Sequence, residues 1–82
     1  MYKLFLLPQA KKDLDTFPSK IFKQISPKIT ALSEEPRPAG CLKLTAYQGY
    51  RIRSGNYRII YCIDDREQAV FIYRVKHRKE AY

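Results

Sequence analysis

Acidic residues are scarce in this sequence, and one long central stretch has none. Eight Asp and Glu stand against sixteen Lys and Arg in 82 residues, a formal net charge of +8, and the isoelectric point is about 9.7. Long apolar runs are missing too. Leu4–Leu7 is typical, far below the roughly 20 residues of a membrane span and short of the roughly 7–15 of a signal-peptide core. Nothing in it directs export, so the expected compartment is the cytoplasm. The two cysteines, Cys41 and Cys62, lack CxxC spacing, and a single histidine is present to assist them. A zinc site is therefore not expected, and two reduced thiols, buried or half-buried, are. The length leaves no room for a second domain, a dinucleotide fold or a barrel enzyme. We expect one domain spanning residues 1–82.

What is present is charge on a foldable chain. Hydrophobic residues make up 45%, too many for a disordered polybasic tail. A small body carrying this much positive charge attracts polyanions, nucleic acid first and acidic protein second. Between Glu35 and Asp64 no acid occurs, while Arg37, Lys43, Arg51, Arg53 and Arg58 all fall in that window. Sequence neighbours therefore do not neutralise it.

Periodicity gives the organisation. Tyr2–Leu7 reads as a strand. Pro8 stops it and suits the first position of a helix, in which Ala10, Leu14 and Phe17 share a face. Pro18 opens a second helix whose apolar residues Ile21, Ile25, Ile29 and Leu32 recur at spacings of four, four and three, with Phe22 alongside. Pro27 interrupts that pattern at a cost of roughly 3 kcal/mol, yet the period runs through it, which predicts a kinked single helix. Almost nothing joins the two helices, so they are expected to pair as an antiparallel hairpin. Glu34–Gly40 is a breaker loop. After it the period becomes alternating: Cys41–Thr45, Tyr50–Arg53, Tyr57–Ile63 and Ala69–Val75 read as strands, with a charged turn at Asp64–Glu67. The expected fold is α+β, a helical hairpin on one face of a mostly antiparallel sheet of four to five strands, whose other face meets solvent or a ligand.

One turn carries most of the functional information. Gly55-Asn56 between two strands signals a two-residue type II′ hairpin with Gly at the position needing positive φ. That loop sets Arg53 opposite Arg58, Arg51 opposite Ile60 and Tyr50 opposite Tyr61. Tyr50, Ile52, Ile59, Tyr61 and Ile63 then form a core face, and Arg51, Arg53, Arg58, Ile60 and Cys62 the other. Like charges directly across a hairpin destabilise it by a few tenths of a kcal/mol. A sequence shaped by folding alone tends to avoid them; one that must hold an anion does not. Arginine's planar fork suits phosphate. Tyr47 and Tyr73 lie where a base could stack. His77 is the side chain whose ordinary pKa, near 6.5, suits proton transfer at neutral pH.

With these residues in place the sequence resembles the RelE/ParE superfamily of toxins from bacterial type II toxin–antitoxin pairs. The resemblance covers nearly the whole chain. It rests on Leu7-Pro8-Gln9-Ala10 before the first helix, Lys43-Leu44 before the sheet, the stretch Gly49–Tyr61 containing Tyr-Arg-Ile-Arg-Ser-Gly-Asn-Tyr-Arg-Ile-Ile-Tyr, and the tail Val75–Tyr82. Members similar to RelE are ribosome-dependent endoribonucleases that cut mRNA in the ribosomal A site. Members similar to ParE share the fold, poison DNA gyrase and generally lack the basic catalytic set. The family's five basic and aromatic places match Arg51, Arg53, Arg58, Arg78 and Tyr82, which favours the nuclease branch. In the best-known RelE toxins the two strand positions are lysines; here both are arginines, which stay protonated, and this shifts weight to His77 for proton transfer. The resemblance thus implies a metal-independent enzyme without cofactor, with Arg51, Arg53, Arg58, His77, Arg78 and Tyr82 as catalytic residues. Lys43, Arg74, Lys76 and Lys79 would be secondary RNA or ribosome contacts. It also implies a cognate, RelB-like antitoxin, and promoter DNA met only through the antitoxin complex. The alternatives are a gyrase inhibitor and a non-catalytic nucleic-acid clamp.

Overall fold

The computed structural model describes residues 1–44 and 49–79. Its elements run β1 (Lys3–Leu6), α1 (Pro8–Asp15), α2 (Ser19–Ala31), β2 (Leu42–Leu44), β3 (Gly49–Ser54), β4 (Tyr57–Asp64) and β5 (Ala69–His77). The five strands form one sheet in the order β1-β5-β4-β3-β2. Neighbours are antiparallel except β1, which lies parallel to β5 from Lys3 opposite Ala69 to Leu6 opposite Ile72. This is the expected α+β architecture. Several strand ends move, most of them by one residue. β5 runs on through Lys76 and His77, which the alternation alone assigned to the tail, and β2 starts at Leu42. Thr45 and Tyr47 lie outside the described residues.

The core sits between the helices and one face of the sheet. Ala10 and Leu14 from α1 and Ile25, Ile29 and Leu32 from and just after α2 are buried against Ile52, Ile59, Tyr61, Val70, Ile72 and Val75. Tyr50 and Ile63 are half-buried at its rim, as the hairpin register requires. Phe22, placed beside the apolar stripe, stays 44% exposed. Pro27 lies inside α2 without ending it. Burial explains the tolerance: each of Ile25, Ile29 and Leu32 contributes roughly 1.5–3 kcal/mol, which outweighs one lost helical hydrogen bond. Cys41 and Cys62 are free and half-buried. No helix among the described residues is long and apolar enough to cross a membrane.

Two polar clusters at the rim of the core tie its elements together. Arg37, in the loop after α2, makes a bidentate pair with Asp65 at 3.1 and 2.9 Å and donates from Nε to the Tyr50 hydroxyl at 3.1 Å. The Tyr2 hydroxyl donates to the same Asp65 carboxylate at 2.8 Å. The Arg37 guanidinium is therefore neutralised across space by Asp65, while the nearby Glu35 carboxylate accepts its backbone N–H at 3.2 Å. At the other edge Asp13 Oδ2 accepts the Val75 N–H at 2.9 Å and Arg74 Nε at 2.8 Å, and its Oδ1 accepts Arg74 Nη2 at 3.0 Å. β1 has ended there, so this carboxylate takes the place of a strand neighbour on the exposed edge of β5.

Candidate nucleic-acid interface

The site begins at the β3–β4 turn. Gly55 has φ of +62°, and Asn56 is not among the positive-φ residues, the combination a type II′ turn demands. A Cβ at Gly55 would sit 2.5 Å from Gln24 Nε2 and displace that amide. That amide donates to the Ser54 carbonyl at 3.1 Å and ties the turn to α2. With the loop fixed at two residues, the register is fixed as well: Arg53 faces Arg58, Arg51 faces Ile60 and Tyr50 faces Tyr61.

The next pairing extends the site. β4 and β5 pair with Arg58 opposite Lys76 and Ile60 opposite Arg74. Directly opposed residues point to the same side of a sheet. Arg53, Arg58 and Lys76 therefore stand abreast across three strands on the face the helices leave uncovered. Behind them lie Leu42, Arg51, Ile60 and Arg74. Arg78 is attached to the same end, because its N–H donates to the Asn56 carbonyl at 2.7 Å. Lys76, ranked by the sequence as a secondary contact, is thus a full member of the row. Three cations abreast repel one another, and each directly opposed like-charged pair is unfavourable in a sheet.

Other residues singled out by the sequence are not brought together there. His77 pairs with Tyr57, on the helix-covered side. Its ring meets the Tyr57 ring edge-on at 5.3 Å, and Tyr57 in turn packs on Phe17 at 5.0 Å. His77 Nδ1 accepts the Lys79 N–H at 3.3 Å. The sheet therefore separates His77 from the row. Arg74 lies on the uncovered face by register but reaches round the β5 edge to Asp13. Lys43 pairs with Tyr50 and so has the parity of the covered face. Tyr73 hydrogen-bonds with Cys62 Sγ at 3.2 Å on the uncovered side, and that contact, with the partial charge of the thiol and some burial, raises the pKa of its hydroxyl. Tyr47 and Tyr82 lie outside the described residues.

The sequence passed over Lys28. On α2 it reads as a solvated lysine, and no motif marks it. In the fold it lines a cavity with Arg51 and Arg53.

A family model described as the ParE toxin of the type II toxin–antitoxin system parDE matches residues 4–82. Toxin RelG of Mycobacterium tuberculosis is 32% identical over 83 aligned residues, covering 99% of this chain and 95% of that protein. The solved toxin–antitoxin complex RelBE2 from Mycobacterium tuberculosis contains a similar chain, with TM-score 0.81, 30% identity, and coverage of 93% and 96% of the two chains. The intact E. coli RelBE toxin–antitoxin complex contains another, with TM-score 0.79, 30% identity, and coverage of 94% and 96%.

Proposed function

This chain belongs to the ParE toxin family, within the RelE/ParE superfamily of type II toxins, and from that premise we propose that it is an endoribonuclease that cuts mRNA in the ribosomal A site. The observation that carries the reading is the row Arg53–Arg58–Lys76 with Arg78 attached at its end. A toxin acting only by protein contact has no need of opposed cations on an open sheet face.

RNA supplies its own nucleophile. The 2′-oxygen attacks the adjacent phosphorus as the P–O5′ bond breaks, leaving a 2′,3′-cyclic phosphate and a 5′-hydroxyl. The protein must align the two oxygens, stabilise the crowded charge and return a proton to the 5′-oxygen. Arg58 and Arg78 hold the scissile phosphate. Arg51 and Arg53 hold the flanking phosphate and screen developing charge. Lys76, beside Arg58, is the member of the row whose amine can give up a proton, which a guanidinium does not do. His77 positions the tail: its ring rests on Tyr57 and its Nδ1 fixes the Lys79 N–H on either side of Arg78. Tyr82 stacks on a base or aligns the 2′-hydroxyl, and Lys43 and Lys79 contact RNA or ribosome around the site. No metal enters this scheme. The site of action is the cytoplasm. The partner is a RelB-like antitoxin, as in the similar RelBE complexes, and the pair meets promoter DNA through the antitoxin.

A translating extract tests this. mRNA ends are mapped by primer extension with wild type and Arg58→Ala. Ends that appear only on translated message, in codon register, and fall by about 10²-fold or more in the variant are expected of a transition-state donor. Intact message together with undiminished toxicity refutes the nuclease. The family model's description favours one second reading, gyrase inhibition, and a supercoiling assay with the wild-type protein would then report it.

A further inference from the structure

β2 begins only at Leu42, opposite Arg51, so from Ile52 onward β3 has no described strand neighbour on that side. A cavity of about 550 Å3 opens there, bounded by β3, the last turns of α2 and the loop before β2. Three cations line it: Arg51 and Arg53 from β3, and Lys28 from α2. Pro38, Leu42 and Ile52 supply apolar wall, and Leu42 is 53% exposed. No acid is among its described lining residues. The volume falls within the roughly 300–1,000 Å3 typical of small-ligand sites, which also combine apolar walls with a few placed polar groups.

We propose that this cavity is an RNA subsite holding one nucleotide next to the scissile phosphate, with Lys28 as a phosphate ligand that completes the site from α2. The proposal rests on the ribonuclease reading and names how its substrate leaves the arginine row. Arg53 belongs to both places, and Arg51 lies directly behind the row. A strand whose phosphates follow the row therefore passes directly into the cavity, where an apolar wall receives the base or ribose and the cations receive the phosphate. Continuity with the row favours RNA over an acidic protein segment, which would satisfy the cations without needing the row at all.

Lys28 also sits in the last turn of α2, where positive charge complements the helix dipole, so two substitutions are needed. Lys28→Glu and the milder Lys28→Gln are compared with Lys23→Glu, an exposed lysine of the same helix outside the cavity lining. A fluorescein-labelled 2′-O-methyl RNA hexamer, which has no free 2′-hydroxyl to react, is titrated against the full chain across a salt series. Lys28→Glu is expected to weaken binding by about tenfold and Lys28→Gln by about threefold. Lys28→Gln should also lower the slope of log affinity against log salt by about 0.7, the value of one lost phosphate contact on a single strand. Lys23→Glu should change affinity less than about twofold, as a charge outside the contact does. Equal effects of Lys28→Glu and Lys23→Glu overturn the subsite, and so does failure of the wild type to bind the hexamer. If the Lys28 variants bind RNA normally but lose capture of the cognate antitoxin, the cavity is an antitoxin contact and the proposal is wrong. The larger reading fails separately, when the wild type leaves translated message uncut.

Discussion

Replacing Asp13 by alanine removes three hydrogen bonds with one side chain. The carboxylate accepts from the Val75 amide at 2.9 Å and from two nitrogens of Arg74 at 2.8 and 3.0 Å. Asp13 is 13% accessible and Arg74 35%, so the pair stands between two regimes. Exposed pairs contribute about 0–1 kcal/mol, whereas breaking a buried one costs about 3–5 kcal/mol. The amide bond to a charged acceptor adds about 1.5–3 kcal/mol, because the end of β5 loses its edge partner. Solvent screening of Arg74 discounts the ionic part, which leaves about 2–3 kcal/mol for Asp13→Ala. At about 4–8 °C per kcal/mol for a domain of this size, the melting temperature should fall by about 10–20 °C. Arg74→Met should cost about half as much, since Asp13 then keeps the Val75 amide and part of its hydration. Urea unfolding followed by far-ultraviolet circular dichroism measures both. A loss below about 0.5 kcal/mol for Asp13→Ala, within the range of ordinary surface changes, would refute the edge-capping role. Arg74→Met should retain most RNA cleavage, because its guanidinium serves the fold through Asp13; a loss matching that of Arg58→Ala would return Arg74 to the site.

The same carboxylate sets a pH dependence. Burial pushes the Asp13 pKa up, but the bonds from Arg74 and the Val75 amide and the nearby positive charges outweigh it, so the folded value lies below the ordinary one. The stability Asp13 supplies is therefore complete above its unfolded pKa of about 3.9 and is lost as pH falls through the lower folded value. The advantage of wild type over Asp13→Asn should be flat above about pH 5 and shrink below about pH 4. In the site, Lys76→Gln should lower cleavage by about 10²-fold, the low end for a lost proton-transfer group. His77→Gln should lower it by less than about tenfold while costing about 0.5–1 kcal/mol of stability through the Tyr57 contact. The opposite order in the cleavage assay would put His77 in the site.

The hairpin was legible because its turn is short. Gly55-Asn56 leaves no freedom in loop length, and with the loop fixed every residue from Tyr50 to Tyr61 is assigned a partner and a face. The helices were legible because the apolar spacing survives Pro27. The parallel pairing of β1 with β5 was not, since no local pattern relates Lys3 to Ala69 across most of the chain. Nor was the neutralisation of Arg37 by Asp65, because a charge window counts neighbours in sequence while Coulomb interactions act across space. Lys28 was invisible for the same reason: it reaches the cavity only because β2 ends short of Arg53.

The division between Lys76 and His77 rests on one extra residue. Ile72 pairs with Tyr61 and Arg74 with Ile60, so β5 advances two residues, over Tyr73, while β4 advances one. This is a bulge, and it reverses the facing of everything after it. Without it Ile72 would keep even-numbered residues on the covered side, Arg74 and Lys76 would be driven into the core, and His77 would join the arginines. Burial decides against that arrangement. Val70, Ile72 and Val75 are all buried, at 0%, 0% and 1% exposure, and only an inserted residue lets two even positions and an odd one face the same core. The apolar pattern Val70, Ile72, Val75 breaks its period of two at this point, so the bulge is written in the sequence as a stumble in alternation. It places a lysine amine beside Arg58 and turns the histidine away, and the chemistry of the face follows from that step of backbone.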